Sequence, residues 1–319
     1  MGKFHCLFIN VGTPKSTKKR DVSSFLRRYL MDSHVMRMPW LSRAMLVNGV
    51  IIPRRKAHSS DSYKSVWRDG EKSPLVVNTE RLIEKVEAKL REKENDTEVS
   101  FAMRHGEPSI KSEIKRLSKM GVDRLLVIPM YPQYEESTYQ SAIDEVRSVV
   151  RKYPMKVQFV PPFYAHGDYI AALERSIREG LFRRTVDRVV FSFHGVPLKY
   201  NPREYRAQCE ETARLVTINL GILEGEFDVV FQSRSDRSEW LSPSLTNTLR
   251  ELPKQGVRSV AVVAPSFPAD CLETLYEVDI EARRDFLAAG GEEFIYVSAL
   301  NDLDLWAKKL SKWIIQASK

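Results

Sequence analysis

Apolar residues along this chain gather into short unbroken runs, separated by longer stretches where they recur every three or four positions. FHCLFINVG (4–12), EVSFAMRHG (98–106) and DRLLVIPMYPQY (123–134) each carry a β-branched or aromatic run that ends in Gly, Pro or polar residues. RVVFSFHGVP (188–197), FDVVFQSRS (227–235) and VRSVAVVAPSF (257–267) repeat the pattern. Runs that are apolar at successive positions predict strands covered on both faces. The intervening stretches predict helices. TERLIEKVEAKLREK (79–93) sets Leu82, Ile83, Val86 and Leu90 on one face. DVSSFLRRYL (21–30) offers Asp21 as an N-cap. PSIKSEIKRLSKMG (108–121) has Pro108 near its start and Gly121 past its end. CEETARLVTINLG (209–221), SLTNTLRELPKQG (244–256) and CLETLYEVDIEARRDFLAAGG (271–291) are helical too. Repeated strand–helix units predict an α/β fold of parallel sheets flanked by helices.

The units also resemble one another. FINVGTP (8–14) aligns with FSFHGVP (191–197), and LSKMGVDRLLVIPMYPQYEES (117–137) with LPKQGVRSVAVVAPSFPADCL (252–272). The order is kept while the offset changes, so loops differ in length between two similar α/β halves, 1–165 and 166–300. The last helix, near 302–316 within segment 301–319, is expected to pack back on the first half. Ligands of open parallel sheets bind at the carboxyl ends of the strands. The turns after FINV, AMRH, PMYPQY, SFH, FQSR and APSF are therefore expected to line a cleft between the halves.

Composition narrows the function. With 319 residues, 43% of them hydrophobic, the chain can bury a large core as one large or two medium domains. No segment nears eighteen uncharged apolar residues, and MGKFHCLFIN lacks a signal-peptide h-region. Position 6 is Cys6, which misses the myristoylation pattern. Cys6, Cys209 and Cys271 are scattered, against a disulfide framework, a structural zinc site or a four-cysteine cluster, and fit a reducing cytoplasm. A net charge of +8 and a pI near 9.3 suit an acidic partner, an anionic lipid or a carboxylate-bearing small molecule. The basic clusters KSTKKR (15–20) and RRK (54–56) lack interleaved aromatics, and no nucleic-acid-binding spacing occurs, so no nucleic acid is expected. No GxxxxGK[ST], GxGxxG or GxSxG motif points to nucleotides or to hydrolase chemistry.

Several side chains could carry chemistry. His194 ends a strand and enters a turn set by Gly195 and Pro197. Its counterpart in the first half is Val11, so the turn does not need a histidine for its shape. Glu273, Glu277 and Glu281 recur every four residues on one helix face, a like-charge arrangement that costs stability. Arg283 and Arg284 are expected to offset part of that cost, a solvated face being the bland alternative, and Asp270 could cap the helix. Glu273 follows the strand-end loop APSFPAD, at the same sheet edge as His194. Imidazole and carboxylate together suit a divalent metal or a proton-transfer pair. Arg104 ends a strand and could clamp a carboxylate. Tyr131, in YPQYEEST, sits at the matching edge, and Trp240 and Phe267 could wall an apolar slot.

NVGTP, AMRHGEPSI, YPQYEEST, FSFHGVP, CEETA, FQSR followed by Trp240, CLETLYEVDIE and the closing ALND resemble the ferrochelatase family, in order and over nearly the whole chain. The resemblance implies two Rossmann-like halves around a cleft, and insertion of Fe²⁺ into a porphyrin to make haem. It implies that His194 is the active-site histidine, Glu273 its acidic partner and Asp270 the aspartate of the D-x-x-E-T-L motif. Glu277 and Glu281 then form an acidic path. Val11, Arg104, Tyr131, Trp240 and Phe267 fall on porphyrin-binding positions, with His105 where a tyrosine is usual and a further metal ligand is conceivable. Segment 31–56 matches an apolar lip, which could rest on an anionic membrane or be a buried capping helix. Glu135 and Glu136 after YPQY, PSFPAD, and a short stretch before CEETA depart from the family pattern.

NVGTP resembles the protoporphyrin IX branch more than the coproporphyrin III branch, where a tyrosine is expected near Val11. A chelatase placing cobalt or nickel in another tetrapyrrole would carry a second histidine near Glu273, and none is there. A non-catalytic tetrapyrrole-binding relative is disfavoured by the retention of both His194 and Glu273. Without the cysteine-bearing extension of some relatives, no iron–sulfur cluster or other cofactor is expected, Fe²⁺ being substrate. A monomer is expected, cytoplasmic and in peripheral contact with the inner membrane.

Overall fold

The computed structural model describes residues 2–67, 72–233 and 238–319. The chain divides into two compact units, Met1–Pro162 with Ala307–Lys319, and Phe163–Trp306. In the first, strands β1 (Lys3–Asn10), β2 (Glu98–Met103), β3 (Val122–Pro129) and β4 (Lys156–Phe159) form a parallel sheet in the order β2-β1-β3-β4. Its helices are α1 (Lys19–Leu30), α2 (Trp40–Leu46), α3 (Ile52–Val66), α4 (Pro74–Arg91), α5 (Ile110–Lys119) and α6 (Ser141–Val150). Central β1 is buried from His5 to Asn10, as a strand covered on both faces must be. Leu7, Ile9 and Val127 pack with Ile114 and Leu117 of α5 and Val146 of α6.

The second unit repeats this plan. Helix α7 (Gly167–Gly180) precedes β5 (Arg188–His194), and α8 (Arg203–Leu220) precedes β6 (Phe227–Gln232). Then come α9 (Leu245–Glu251), β7 (Ser259–Val263), a π-helical segment Glu273–Ala282, α10 (Arg283–Ala288) and β8 (Glu293–Val297), while α11 (Asp304–Ser318) starts here and belongs to the first unit from Ala307 on. Its sheet is again parallel, in the order β6-β5-β7-β8, which is the first sheet's order strand for strand. The internal repeat of the sequence is thus a repeat of topology. Phe163, Tyr169 and Trp306 pack edge-on or tilted into one aromatic cluster, with ring centroids 5.2 to 6.0 Å apart, and the Tyr169 hydroxyl donates to the Pro265 carbonyl at 2.5 Å. That bond pins the loop after β7, where Phe267 and Asp270 sit.

Two local expectations need correction. Helix α1 starts at Lys19 with no side-chain cap, so Asp21 is not its N-cap; it lies in the first turn and accepts the Ser16 hydroxyl at 2.5 Å. The stretch read as one helix from Cys271 is π-helical over Glu273–Ala282 before it turns α-helical. Among the described residues, no helix is long and apolar enough to cross a membrane.

Candidate functional site

His194 is the last residue of β5, opposite Gln232 at the end of β6. Gly195 follows because nothing larger fits. A Cβ there would lie 2.6 Å from the Gln232 carbonyl oxygen and 3.3 Å from the Trp240 ring. The Gly195 N–H donates to that same carbonyl at 2.8 Å. Pairing of Leu198 with Glu239 and of Leu241 with Val196 holds Trp240 beside this turn. The Tyr205 hydroxyl donates to the His194 carbonyl at 2.9 Å and meets Ser266 Oγ at 3.2 Å, joining the ends of β5 and β7. His194 Nδ1 lies 2.7 Å from the Gly195 carbonyl. A carbonyl only accepts, so Nδ1–H donates and Nε2 of the neutral ring keeps its lone pair. Phe267 stands 6.3 Å from the imidazole, centroid to centroid.

Glu273 opens the π-helical segment, and the Gln232 side-chain amide donates to its carbonyl at 2.8 Å. Next to Gln232, Ser233 takes a left-handed φ of 65°, uncommon outside glycine, and its hydroxyl donates to the Glu277 carboxyl. Burial, then the nearby Glu273 charge, pushes Glu277 up to about 8, so it holds a proton at neutral pH. The expected offset by arginines is not formed: Arg283 pairs with Asp279 and Arg284 with Asp285. Nor does Asp270 cap a helix. Its Oδ1 accepts the Tyr296 hydroxyl at 2.5 Å and the Thr274 hydroxyl at 2.9 Å, and its Oδ2 accepts Asn301 Nδ2 at 2.7 Å. Buried and filled by the protein's own donors, Asp270 ties the residue after Glu273 to the chain beyond β8.

In the first unit the equivalent strand ends gather Val11, Arg104, His105 and Tyr131. The Val11 carbonyl accepts the His105 N–H at 2.9 Å. Gly12, at φ 106°, presses onto Gly106, whose nitrogen would lie 2.7 Å from a Cβ. The carboxylate that Arg104 clamps belongs to the chain itself: Nη2 meets Asp32 Oδ2 at 2.8 Å, while Nε donates to Ser141 Oγ at 2.8 Å. Ser141 donates to the same Asp32 oxygen at 2.5 Å. His34 reaches Asp32 with Nδ1 and Asp144 with Nε2, each at 3.1 Å. His105 joins this network, buried, edge-on to Tyr29 and 3.6 Å from Asp32. Burial, then the Arg104 charge, drives its pKa down to about 3, so it stays neutral. Tyr131 is also buried, which drives its phenol pKa up. Glu135 and Glu136 both face Arg37 Nη2, at 3.7 and 3.0 Å, so these departures from the family pattern hold the start of the lip.

The lip is not a buried cap. Trp40, Leu41 and Met45 of α2 are 65%, 62% and 61% exposed, while Arg43 turns inward to the Met36 carbonyl at 3.0 Å. Arg234 of the FQSR motif lies outside the described residues. Among the described residues, no three His, Cys, Asp or Glu side chains gather as a ready metal cage. The sequence missed Gln232, Ser233, Asp32 and Ser141. The first two lay inside a quoted motif, but neither bears a charge that marks it.

Residues 5–318 match the ferrochelatase family. The chain is 39% identical to the ferrochelatase of Pseudomonas fluorescens over 331 residues, covering 96% of this chain and 95% of that one. It is 39% identical over 305 residues to that of Pseudoalteromonas atlantica, covering 94% and 84%. Among solved structures, SirB from Bacillus subtilis with Fe³⁺ matches with a TM-score of 0.56 at 13% identity, over 99% of this chain and 95% of that one. CbiX, described as the terminal enzyme of sirohaem biosynthesis in denitrifying bacteria, matches with 0.51 at 10% identity over 99% of each. At such identities these two show the shared fold. With the family matched over residues 5–318 and relatives 37–39% identical over 96% of this chain, the chain belongs to the ferrochelatase family, lyases that insert iron into a porphyrin to make haem.

Proposed function

We propose that this chain inserts Fe²⁺ into protoporphyrin IX, with His194 and Glu273 as the working pair. The observation that carries this reading is that Gln232, opposite His194 at the end of β6, bonds both Gly195, the residue after the histidine, and the Glu273 carbonyl. Metallation releases two pyrrole protons as the ion enters. An imidazole that donates through Nδ1 to the Gly195 carbonyl offers Nε2 as the acceptor for one of these transfers. The carboxylate of Glu273 suits the other, or a transient hold on the ion. Glu277 and Glu281 continue the acidic path on the π-helical segment, and Asp270 holds the base of that segment through Thr274. Trp240 and Phe267 give the macrocycle apolar surface. Val11, Arg104, His105 and Tyr131 are the first unit's candidates for porphyrin contact, and Val11 in place of a tyrosine favours protoporphyrin IX. The reading includes no iron–sulfur cluster; Cys6, Cys209 and Cys271 are all buried. It includes a monomer in the cytoplasm, with α2 resting on the surface of an anionic membrane.

The test is anaerobic metallation followed by visible spectroscopy, with Fe²⁺, Co²⁺, Ni²⁺ or Zn²⁺ and either protoporphyrin IX or coproporphyrin III. Fe²⁺ with protoporphyrin IX is expected to react fastest. His194→Ala is expected to lower kcat by about 10²-fold or more while porphyrin still binds. A full rate in that variant removes the site assignment. Faster use of coproporphyrin III reassigns the substrate, and bound porphyrin that takes no metal makes this a binding protein.

A further inference from the structure

Gln232 is bonded on three sides. Its backbone carbonyl accepts the Gly195 N–H at 2.8 Å, its Oε1 accepts the Ser192 hydroxyl at 2.7 Å, and its Nε2 donates to the Glu273 carbonyl at 2.8 Å. Ser192 and Gly195 bracket His194 in the chain, so one residue grips the strand on either side of the histidine and the segment that starts with the glutamate. Gln232 is 5% exposed and Ser192 fully buried. We propose that Gln232 is the positioning residue that sets His194 and Glu273 relative to each other for metal insertion. The inference rests on those two residues being the working pair.

The residue type is what this task requires. The Glu273 carbonyl can only accept, so the amide nitrogen must face it and the amide oxygen must face Ser192. One side chain must therefore offer a donor and an acceptor at once, without charge. A glutamate here would set a third carboxylate beside Glu273 and Glu277. A methionine of similar length offers neither bond. An asparagine falls short by one carbon–carbon bond, about 1.5 Å. A donor inserted from outside the helix also supports a wide turn, and the segment it meets is π-helical. Ser233 strengthens the argument. It is held at a left-handed φ of 65° while its hydroxyl reaches Glu277, so two consecutive side chains leave β6 for the same segment.

The test compares Gln232→Met and Ser192→Ala with His194→Ala and Glu273→Gln in the full-length enzyme. Misplacing reacting groups by about 1 Å can cost about 10²-fold in rate. Gln232→Met is accordingly expected to lose about 10- to 100-fold in kcat, with porphyrin KM and fluorescence-titrated porphyrin affinity unchanged. Ser192→Ala is expected to lose less, and to add nothing when combined with Gln232→Met. A wild-type kcat in folded Gln232→Met overturns the proposal. So does a loss that tracks only the folded fraction, or one that appears in KM. Should Gln232→Met not fold, Ser192→Ala decides alone: an unchanged kcat overturns the proposal. If His194→Ala and Glu273→Gln keep full activity, it is the reading of the working pair that fails. If they lose activity and Gln232→Met does not, only the positioning role fails.

Discussion

Asp32 shows how much one buried carboxylate can organise. It receives Arg104, Ser141 and His34, which belong to the end of β2, the start of α6 and the start of the lip. Burial alone would raise its pKa, but the Ser141 hydroxyl, the Arg104 guanidinium and the His34 amide outweigh burial and hold it below the ordinary carboxylate range. Because the folded value is lowered, its stabilisation is present above the unfolded value, about pH 4, and is lost as pH falls through the lowered one. Asp32→Asn is expected to cost about 3–5 kcal/mol by urea unfolding at pH 7, the scale of breaking a buried ion pair. That difference should shrink in acid. Arg104 stood out in the sequence as a charge at a strand end. Asp32 did not, because Arg104 and Ser141 lie far along the chain and only the fold brings them to it.

The π-helical segment carries the next scale. Its helical period was legible in CLETLYEVDIEARR, and Glu273, Glu277 and Glu281 could be placed on one face. Its wider turn was not legible, since the Gln232 donor that meets Glu273 comes from a different strand. Edge strands β4 and β8 also escaped the sequence reading: at four and five residues, with Lys156 and Gln158 breaking the apolar run of β4, they carry little pattern. Glu277 makes the segment pH-sensitive. Its folded pKa, about 8, lies above the ordinary carboxylate value, so the native state keeps a proton that the unfolded chain gives up. Stability contributed by that group is present at low pH and is lost as pH rises from about 4.3 toward 8. Glu277→Gln is therefore expected to raise the thermal unfolding temperature relative to wild type at pH 8.5, and to change it least near pH 4.

At the scale of the whole molecule, charge and exposed apolar surface act together. The chain carries a net +8, and Arg54, Arg55 and Lys56, all exposed, follow shortly after the exposed Trp40, Leu41 and Met45. Wild-type protein is expected to co-sediment with vesicles rich in phosphatidylserine at low salt and to be released as salt rises. Joint replacement of Trp40, Leu41 and Met45 by Ser should abolish the binding, and retention in that variant removes the membrane role. The repeat was the most legible feature at this scale, because FINVGTP and FSFHGVP kept their glycines and prolines while the residues between them diverged. Gly12 and Gly195 explain why: each presses backbone onto backbone beside the neighbouring strand, so the route of the chain is fixed by contacts in which the preceding side chain takes no part. A scaffold copied in this way divides its labour. One twin carries an imidazole at that place and the other a valine, and the strands keep the same order in both.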